Sequence, residues 1–334
     1  LDPETTELHF ALGSLFRRRG ETERAIRVHQ HLAGRNDIDQ KHRDHAAYEL
    51  GRDFLRAGLL DRAEATLNRV GGSRYSTPAK VALLEMYQIE KDWQKAIIAA
   101  TELQSLDGRN YQQEIAHFYC ELAQEAIRRK DLQVAKESIE HALQAVPFHI
   151  RATVLKGELL LLNQRPKEAI EVWADIESRH PLYLPLVADR WMVAYAELGK
   201  EAEGLERLKR SLNQQASGEL LDIIFKHVLR LEGAAQAEQL MAEVMQYAPS
   251  LTAMTKRLEA RQTLAQENGA ESDQKDIGAA LGLLKQRTGS LVRYTCGSCG
   301  FRARRFYWQC PGCNNWDAYS PRRSEGGAPS GPSM

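Results

Sequence analysis

A small residue recurs along this chain with a period of about 34. Ala25, Ala63, Ala96, Ala135, Ala169, Gly204 and Ala237 succeed one another at intervals of 33 to 39 residues. Each sits in the same local frame. Residues 12–26 read LGSLFRRRGETERAI and residues 50–64 read LGRDFLRAGLLDRAE. Both carry Leu-Gly, then Phe three residues later, Gly four further on and Ala after five more. The frame returns more loosely at 83–97, 122–136, 156–170, 191–205 and 224–238. Pro147, Pro181 and Pro249 each fall twelve residues after their anchor, where the second helix of a pair has to stop. An irregular helical bundle would not hold seven matches at near-constant spacing.

The Leu-Gly, aromatic, Ala and Pro positions resemble the tetratricopeptide repeat. Gly13, Gly51 and Gly157 would let a partner helix approach closely, and the anchoring Ala does the same from the second helix. Phe16, Phe54, Tyr87, Leu160 and Tyr195 would fill the space between neighbouring units. One hairpin cannot bury its apolar faces alone, so the units stack. The expected fold is all-α: a tetratricopeptide-repeat superhelix with a concave inner surface over residues 1–267, with seven units and a partial eighth at 251–266. The polar stretch 268–276 reads as a linker and 276–289 as a short helix, so 268–290 joins the array to a C-terminal module. That module, residues 291–321, is rich in cysteine, and the Gly, Pro and Ser-rich end, 322–334, reads as a disordered tail.

Four of the five cysteines lie in YTCGSCGFRARRFYWQCPGCNNWD, residues 294–317. Two C-x-x-C pairs separated by ten residues can each present two sulfurs from one tight turn, with Gly300 and Gly312 supplying backbone freedom. Cys296, Cys299, Cys310 and Cys313 would then surround one zinc or iron ion tetrahedrally. A module of about 30 residues is too small for a sufficient core, so the ion would provide its folding energy. Disulfides or a redox C-x-x-C are the competing reading, but the βαβ pattern of a thioredoxin-like motif is absent. Cysteines gathered in one module, with only Cys120 elsewhere, suit a reducing compartment.

Tyr294-x-Cys-x-x-Cys-Gly with Cys-Pro-x-Cys after it resembles rubredoxin, an iron protein that passes electrons. Asn314 stands where the second knuckle would carry glycine. Rubredoxins are acidic, whereas residues 291–325 hold six arginines against Asp317 and Glu325. This weakens the electron-carrier reading and leaves the metal open. Phe301, Phe306, Tyr307, Trp308 and Trp316 interleave with the arginines. They could stack on nucleic acid, but docking on the helical array is the expectation, because five aromatics are too much apolar area to leave in water.

Lys+Arg and Asp+Glu both number 45, so no net field draws the chain to nucleic acid or an anionic surface. The chain has no apolar run of membrane-spanning length and no signal peptide. It has no nucleophile elbow, no H-E-x-x-H and no phosphate-binding glycine loop. A binding surface is expected, not an enzyme. Five residues after each frame glycine or its equivalent come Arg18, Arg56, Ile89, Arg128, Leu162, Glu197 and Arg230, projected onto the inner face. With Arg17 and Arg52 they suggest a basic stripe, Arg17, Arg18, Arg52, Arg56 and Arg128, that grips an acidic or carboxylate-bearing partner segment. A solvated face with local ion pairs fits the same residues.

Helical repeats ending in this knuckle pair, together with LGSLFRRRGETERAIRVHQ (12–30), DRAE (61–64), EIAHFYCELA (114–123) and YWQCPGCNNW (307–316), resemble the lipopolysaccharide assembly protein B family over nearly the whole chain. The resemblance implies a non-catalytic adaptor at the cytoplasmic face of the bacterial inner membrane. Such an adaptor promotes turnover of the LpxC deacetylase by the FtsH protease and so restrains lipopolysaccharide synthesis. A PbgA-type inner-membrane lipopolysaccharide sensor opposes it. The family's metal ligands carry over to Cys296, Cys299, Cys310 and Cys313. Cys120 is not among them and falls on a first helix of the array. Family members have an N-terminal transmembrane helix and a further repeat ahead of the point where this sequence starts, and membrane attachment is expected through that segment. No nucleic acid is expected, and a homodimer is left open. An RNA-binding metal-ribbon protein and a rubredoxin-like electron carrier remain the alternatives.

Overall fold

The computed structural model describes residues 3–214, 217–289 and 294–321. The described residues form eight helical hairpins of the tetratricopeptide type and a small cysteine module. The chain divides into two compact units, residues 1–147 and 148–334. Unit one pairs α1 (Pro3–Arg18) with α2 (Thr22–Ala33), α3 (Gln40–Arg56) with α4 (Leu60–Leu67), α5 (Ser76–Glu90) with α6 (Trp93–Asp107), and α7 (Gln112–Arg128) with α8 (Leu132–Ala145). Unit two pairs α9 (Ile150–Leu162) with α10 (Pro166–Arg179), α11 (Ala188–Glu197) with α12 (Glu201–Gln214), α13 (Gly218–Leu231) with α14 (Ala234–Tyr247), and α15 (Leu251–Glu267) with α16 (Glu271–Gly289). A short 3-10 helix, Pro181–Leu186, precedes α11. No helix among the described residues is long and apolar enough to cross a membrane.

Each hairpin turns on one residue in the left-handed conformation. Gly20, Gly58, Gly199, Gly233 and Gly269 do this at five turns, and Lys91, Lys130 and Gln164 at the other three. The next N–H reaches back across the turn, as from Glu21 to the Phe16 carbonyl or from Asp92 to the Tyr87 carbonyl, both at 2.9 Å. These bonds satisfy carbonyls that the helix end leaves open. Asp92 and Asp131 then cap the next helix by accepting from the N–H of Lys95 and Val134, each at 3.1 Å. The second helices α8, α10 and α14 end at Ala145, Arg179 and Tyr247, two residues before Pro147, Pro181 and Pro249.

The recurring small residues mark where helices touch. Ala25, Ala63, Ala96, Ala135, Ala169 and Ala237 are all fully buried. A Cβ on Gly13 would stand 2.4 Å from His29, on Gly51 2.5 Å from Leu67 and on Gly157 2.2 Å from Trp173. Each large partner lies sixteen residues after its glycine, on the second helix of the same hairpin. Gly204 reverses the arrangement, taking the Tyr195 side chain of the first helix at 2.5 Å. Gly157→Ala is therefore expected to destabilise the chain by about 1–3 kcal/mol, overpacking outweighing the gain in helix propensity. Trp173 has no room to retreat, being fully buried with its indole N–H donated to the Val154 carbonyl at 3.2 Å. A thermal melt checks this; an unchanged or raised midpoint would contradict it.

Two expectations need correction. The stretch 268–276 is not a linker throughout: α16 begins at Glu271 and packs on α15, completing an eighth hairpin. Leu281 is buried there, and Lys285 pairs with Glu259 at 2.9 Å. The polar first turn of α16 hides the helix, because ESDQKD offers no apolar periodicity. Gly312, expected to relax a turn, has no left-handed backbone; a Cβ there would press on the Phe301 ring at 3.1 Å. The proposed tail, 322–334, lies outside the described residues. Cys120 sits fully buried on α7.

Candidate metal centre and its seat

Two knuckles of matching design bring the four cysteines together. Strand β1 (Tyr294–Thr295) pairs antiparallel with β2 (Arg302–Ala303), closing the first turn. Within it the Gly300 N–H donates to the Cys296 carbonyl, and the Cys296 N–H donates to the Phe301 carbonyl, each at 2.9 Å. In the second knuckle the Asn314 N–H donates to the Cys310 carbonyl at 2.8 Å, and the Cys310 N–H to the Asn315 carbonyl at 2.9 Å. Gly300 has φ +74° and Asn314 φ +59°, so the two fill the same left-handed place. Asparagine is among the few residues that tolerate it, and the departure from the rubredoxin pattern costs the turn little. A bridge between Cys296 and Tyr319 ties the end of the module to its start, and one between Gln309 and Trp316 closes the second knuckle.

The sulfurs of Cys296 and Cys313 are 3.8 Å apart, and those of Cys299 and Cys310 3.7 Å apart. All four sulfurs lie within 4.8 Å of one another. Metal–sulfur bonds of about 2.3 Å in a tetrahedron imply edges of about 3.8 Å. A disulfide would need about 2.05 Å. The donor set and its spacing therefore fit one thiolate-bound ion. Cys296 and Cys310 are buried, Cys313 is half-buried and Cys299 is exposed.

Burial works against the Cys310 thiolate, but the N–H groups of Gly312 and Cys313 and the Tyr319 hydroxyl outweigh it and bring its pKa down to about 6. That hydroxyl lies 3.7 Å from the Cys310 sulfur and 3.4 Å from the Phe301 carbonyl. The Asn315 N–H favours the Cys313 thiolate, yet desolvation and the neighbouring sulfurs push Cys313 up to about 12. The Cys310 proton leaves readily, and metal binding would displace the proton that Cys313 holds.

The module sits on the helices of unit two through its aromatics. The Trp308 ring stacks on Tyr183 with centroids 5.9 Å apart and planes 2° from parallel. Phe306 meets Tyr183, Tyr294 and Trp308 edge-on at 6.2, 5.9 and 4.9 Å. The Tyr294 hydroxyl donates to the Glu219 carboxylate of α13 at 2.9 Å. The Arg151 guanidinium of α9 lies 5.8 Å over the Trp316 ring. The aromatics interleaved with arginine thus serve docking, although Phe301 and Tyr307 stay exposed. Sequence reasoning does not find Tyr183, Glu219, Arg151 or Tyr319. Only PLYLPL, an aromatic framed by two prolines between helices, carries a local signal.

The five arginines of the expected stripe, all in unit one, have different settings. Arg17 of α1 turns to α3, where it pairs with Glu49 and donates to Asp53 at 2.8 Å. Asp53 also accepts from His29 Nδ1 at 2.5 Å, and Asp53 and His29 are both fully buried. Burial opposes ionisation of Glu49, but Arg17 holds its carboxyl below the usual range. Arg52 reaches the same Glu49 at 3.4 Å and lies over Tyr48. Arg18, Arg56 and Arg128 are exposed. Ile89, Leu162, Glu197 and Arg230, in the same register, are exposed as well.

Residues 294–321 match the family model described as a rubredoxin metal binding domain. The chain is 31% identical over 323 residues to lipopolysaccharide assembly protein B of Escherichia coli strain K12, covering 96% of this chain and 82% of that protein. To its namesake in Haemophilus influenzae strain Rd the identity is 27% over 322 residues, 94% of this chain and 79% of that one. Among solved structures, a tetratricopeptide repeat protein from Parabacteroides merdae is similar at 14% identity and a TM-score of 0.34, over 77% of this chain and 99% of that one. With that identity to the Escherichia coli protein along nearly its whole length and a matching four-cysteine module at its end, the chain belongs to the lipopolysaccharide assembly protein B family.

Proposed function

We propose that this protein is a non-catalytic adaptor in the control of lipopolysaccharide synthesis. In this reading it presents the LpxC deacetylase to the FtsH protease at the cytoplasmic face of the inner membrane, and a PbgA-type lipopolysaccharide sensor opposes it. Attachment to the membrane would come through a segment ahead of Leu1. The observation that carries the reading is the 31% identity over 96% of the chain to a protein named for lipopolysaccharide assembly. The build of the chain supports it. Stacked hairpins hold a register position open to solvent in every unit from Arg18 to Arg230. Arg18, Arg56 and Arg128 are the exposed cations of that register in unit one, suited to an acidic partner segment.

A zinc or iron ion on Cys296, Cys299, Cys310 and Cys313 would supply folding energy to the module. The chain's own residues do the rest: Tyr319 shields Cys310, while Tyr294 and Trp308 fasten the module to α13 and the 3-10 helix. Metal analysis with a visible spectrum identifies the ion, since iron thiolates absorb and zinc is colourless.

The adaptor reading is tested by the deacetylase half-life in cells whose own copy is replaced by a charge-reversed one, Arg18→Glu with Arg56→Glu and Arg128→Glu. The half-life should lengthen several-fold, and co-purification of deacetylase or protease from membranes should weaken, with melting unchanged. A normal half-life in this variant would discard the arginine surface. A normal half-life in cells lacking the protein altogether would discard the adaptor reading.

A further inference from the structure

A cavity of about 500 Å³ opens in unit one between α1, α3 and the turn that leads into α5. This is the size of a small-molecule site. Two side chains of fixed positive charge, Lys41 and Arg74, face it with His42 and His45, against the single acid Glu7. Lys41 and Arg74 are exposed, and neither pairs with a carboxylate among the described residues. Arg74 is nonetheless held in place, donating to the Tyr75 hydroxyl at 2.7 Å with its guanidinium 4.9 Å over that ring. His42 is engaged otherwise, with Nδ1 2.5 Å from Asp39 and Nε2 3.9 Å from Glu7.

One wall is flat. The His45 ring is sandwiched between Phe10, at 3.9 Å, and Tyr75, at 4.4 Å. The turn Gly71-Gly72-Ser73-Arg74, of which Gly72, Ser73 and Arg74 line the cavity, delivers the chain to the start of α5. Gly72 has φ +70°, a conformation that favours glycine. Gly71 has no such φ, and a Cβ there would meet nothing, so neither backbone nor packing accounts for it. Helix α5 has no acidic residue in its first turn and no side-chain cap. No carboxylate therefore offsets the positive end of its dipole, although the Ser76 N–H is taken by the Ser73 carbonyl at 3.0 Å and Pro78 has no N–H. None of the familiar glycine-loop fingerprints covers this turn, because the cations that would complete it come from α3 and from the turn itself.

We propose that this cavity binds a small phosphate monoester. Lys41 and Arg74 neutralise the dianion, the Ser73 hydroxyl, which accepts from the Tyr75 N–H at 3.3 Å, keeps its own proton to donate, and the edges of the Tyr75–His45 stack bound the rest of the molecule. Two unpaired cations beside a helix start match a doubly charged group better than a single carboxylate. The inference lies beyond the adaptor reading and does not depend on it.

The test uses two probes on the purified chain at low salt. Glycerol 3-phosphate is titrated calorimetrically, and vesicles of phosphatidylcholine with and without phosphatidic acid are tested by co-sedimentation. Saturable binding of the soluble ester assigns a free metabolite. Binding only to phosphatidic acid vesicles assigns a lipid headgroup. In either case Lys41→Glu with Arg74→Glu should weaken binding by roughly tenfold or more, and Glu7→Gln should tighten it by about threefold. These residues are exposed, and an unchanged melting curve verifies each variant. Absence of binding to both probes, or equal affinity in the double variant, overturns the proposal.

Discussion

Replacing Cys310 and Cys313 by serine is expected to unfold residues 294–321 as a unit. The strands of this module are two residues long, and its buried set is Tyr294, Cys296, Ala303, Cys310 and Tyr319. So small a core cannot offset the entropy of ordering the segment. A structural metal contributes about 10–16 kcal/mol of apparent free energy in comparable modules. Unfolding would strip Trp308 from Tyr183 and the Tyr294 hydroxyl from the buried Glu219 carboxylate. Three readouts should move together: tryptophan emission shifts to the red, protease cuts between Tyr294 and Tyr319, and the melting midpoint falls. A strong chelator added to the wild type should reproduce all three. A double variant with native emission and protease resistance would show that the ion does not hold the module together.

Asp53→Ala should be the most damaging single change in unit one, at about 3–5 kcal/mol. Asp53 is fully buried and accepts from both Arg17 and His29. Its loss leaves the His29 ring without its acceptor and Arg17 with Glu49 alone. Asp53→Asn, which keeps the volume and one acceptor oxygen, should cost less. Chemical denaturation monitored by helical circular dichroism measures both, and similar midpoints for wild type and Asp53→Ala would contradict the assignment. The same cluster sets a pH dependence. Glu49 ionises below its ordinary value of 4.5 when folded, so its contribution is complete above that pH and is lost as pH falls through the lowered value.

Much of the architecture was legible because helix crossings leave little choice of residue. Ala25, Ala63, Ala96, Ala135, Ala169 and Ala237 are fully buried, and their spacing alone set the hairpin register. The left-handed turns at Lys91, Lys130 and Gln164 were not legible, since nothing in those side chains announces the conformation. The eighth hairpin was half-seen: α15 shows its periodicity, while the first turn of α16 looks like loop. At the metal centre the cysteine spacing was sufficient to group the ligands. The seat was hidden because Glu219 precedes Tyr294 by 75 residues, and no local pattern links them. Arg17 illustrates the same limit. Register placed it on a face with Arg52, but Glu49 and Asp53, one hairpin further on, draw it inward.

The complementary bulk at Gly13 and His29, Gly51 and Leu67, and Gly157 and Trp173 bears on how such a chain diversifies. Lock and key lie within the same hairpin, so a duplicated or transplanted repeat carries its own fit with it. A crossover that breaks between the two helices would instead mate Trp173 with a neighbour's bulkier lining. Lineages are therefore expected to exchange these repeats whole, with breakpoints in the connections between hairpins and the paired positions drifting in step.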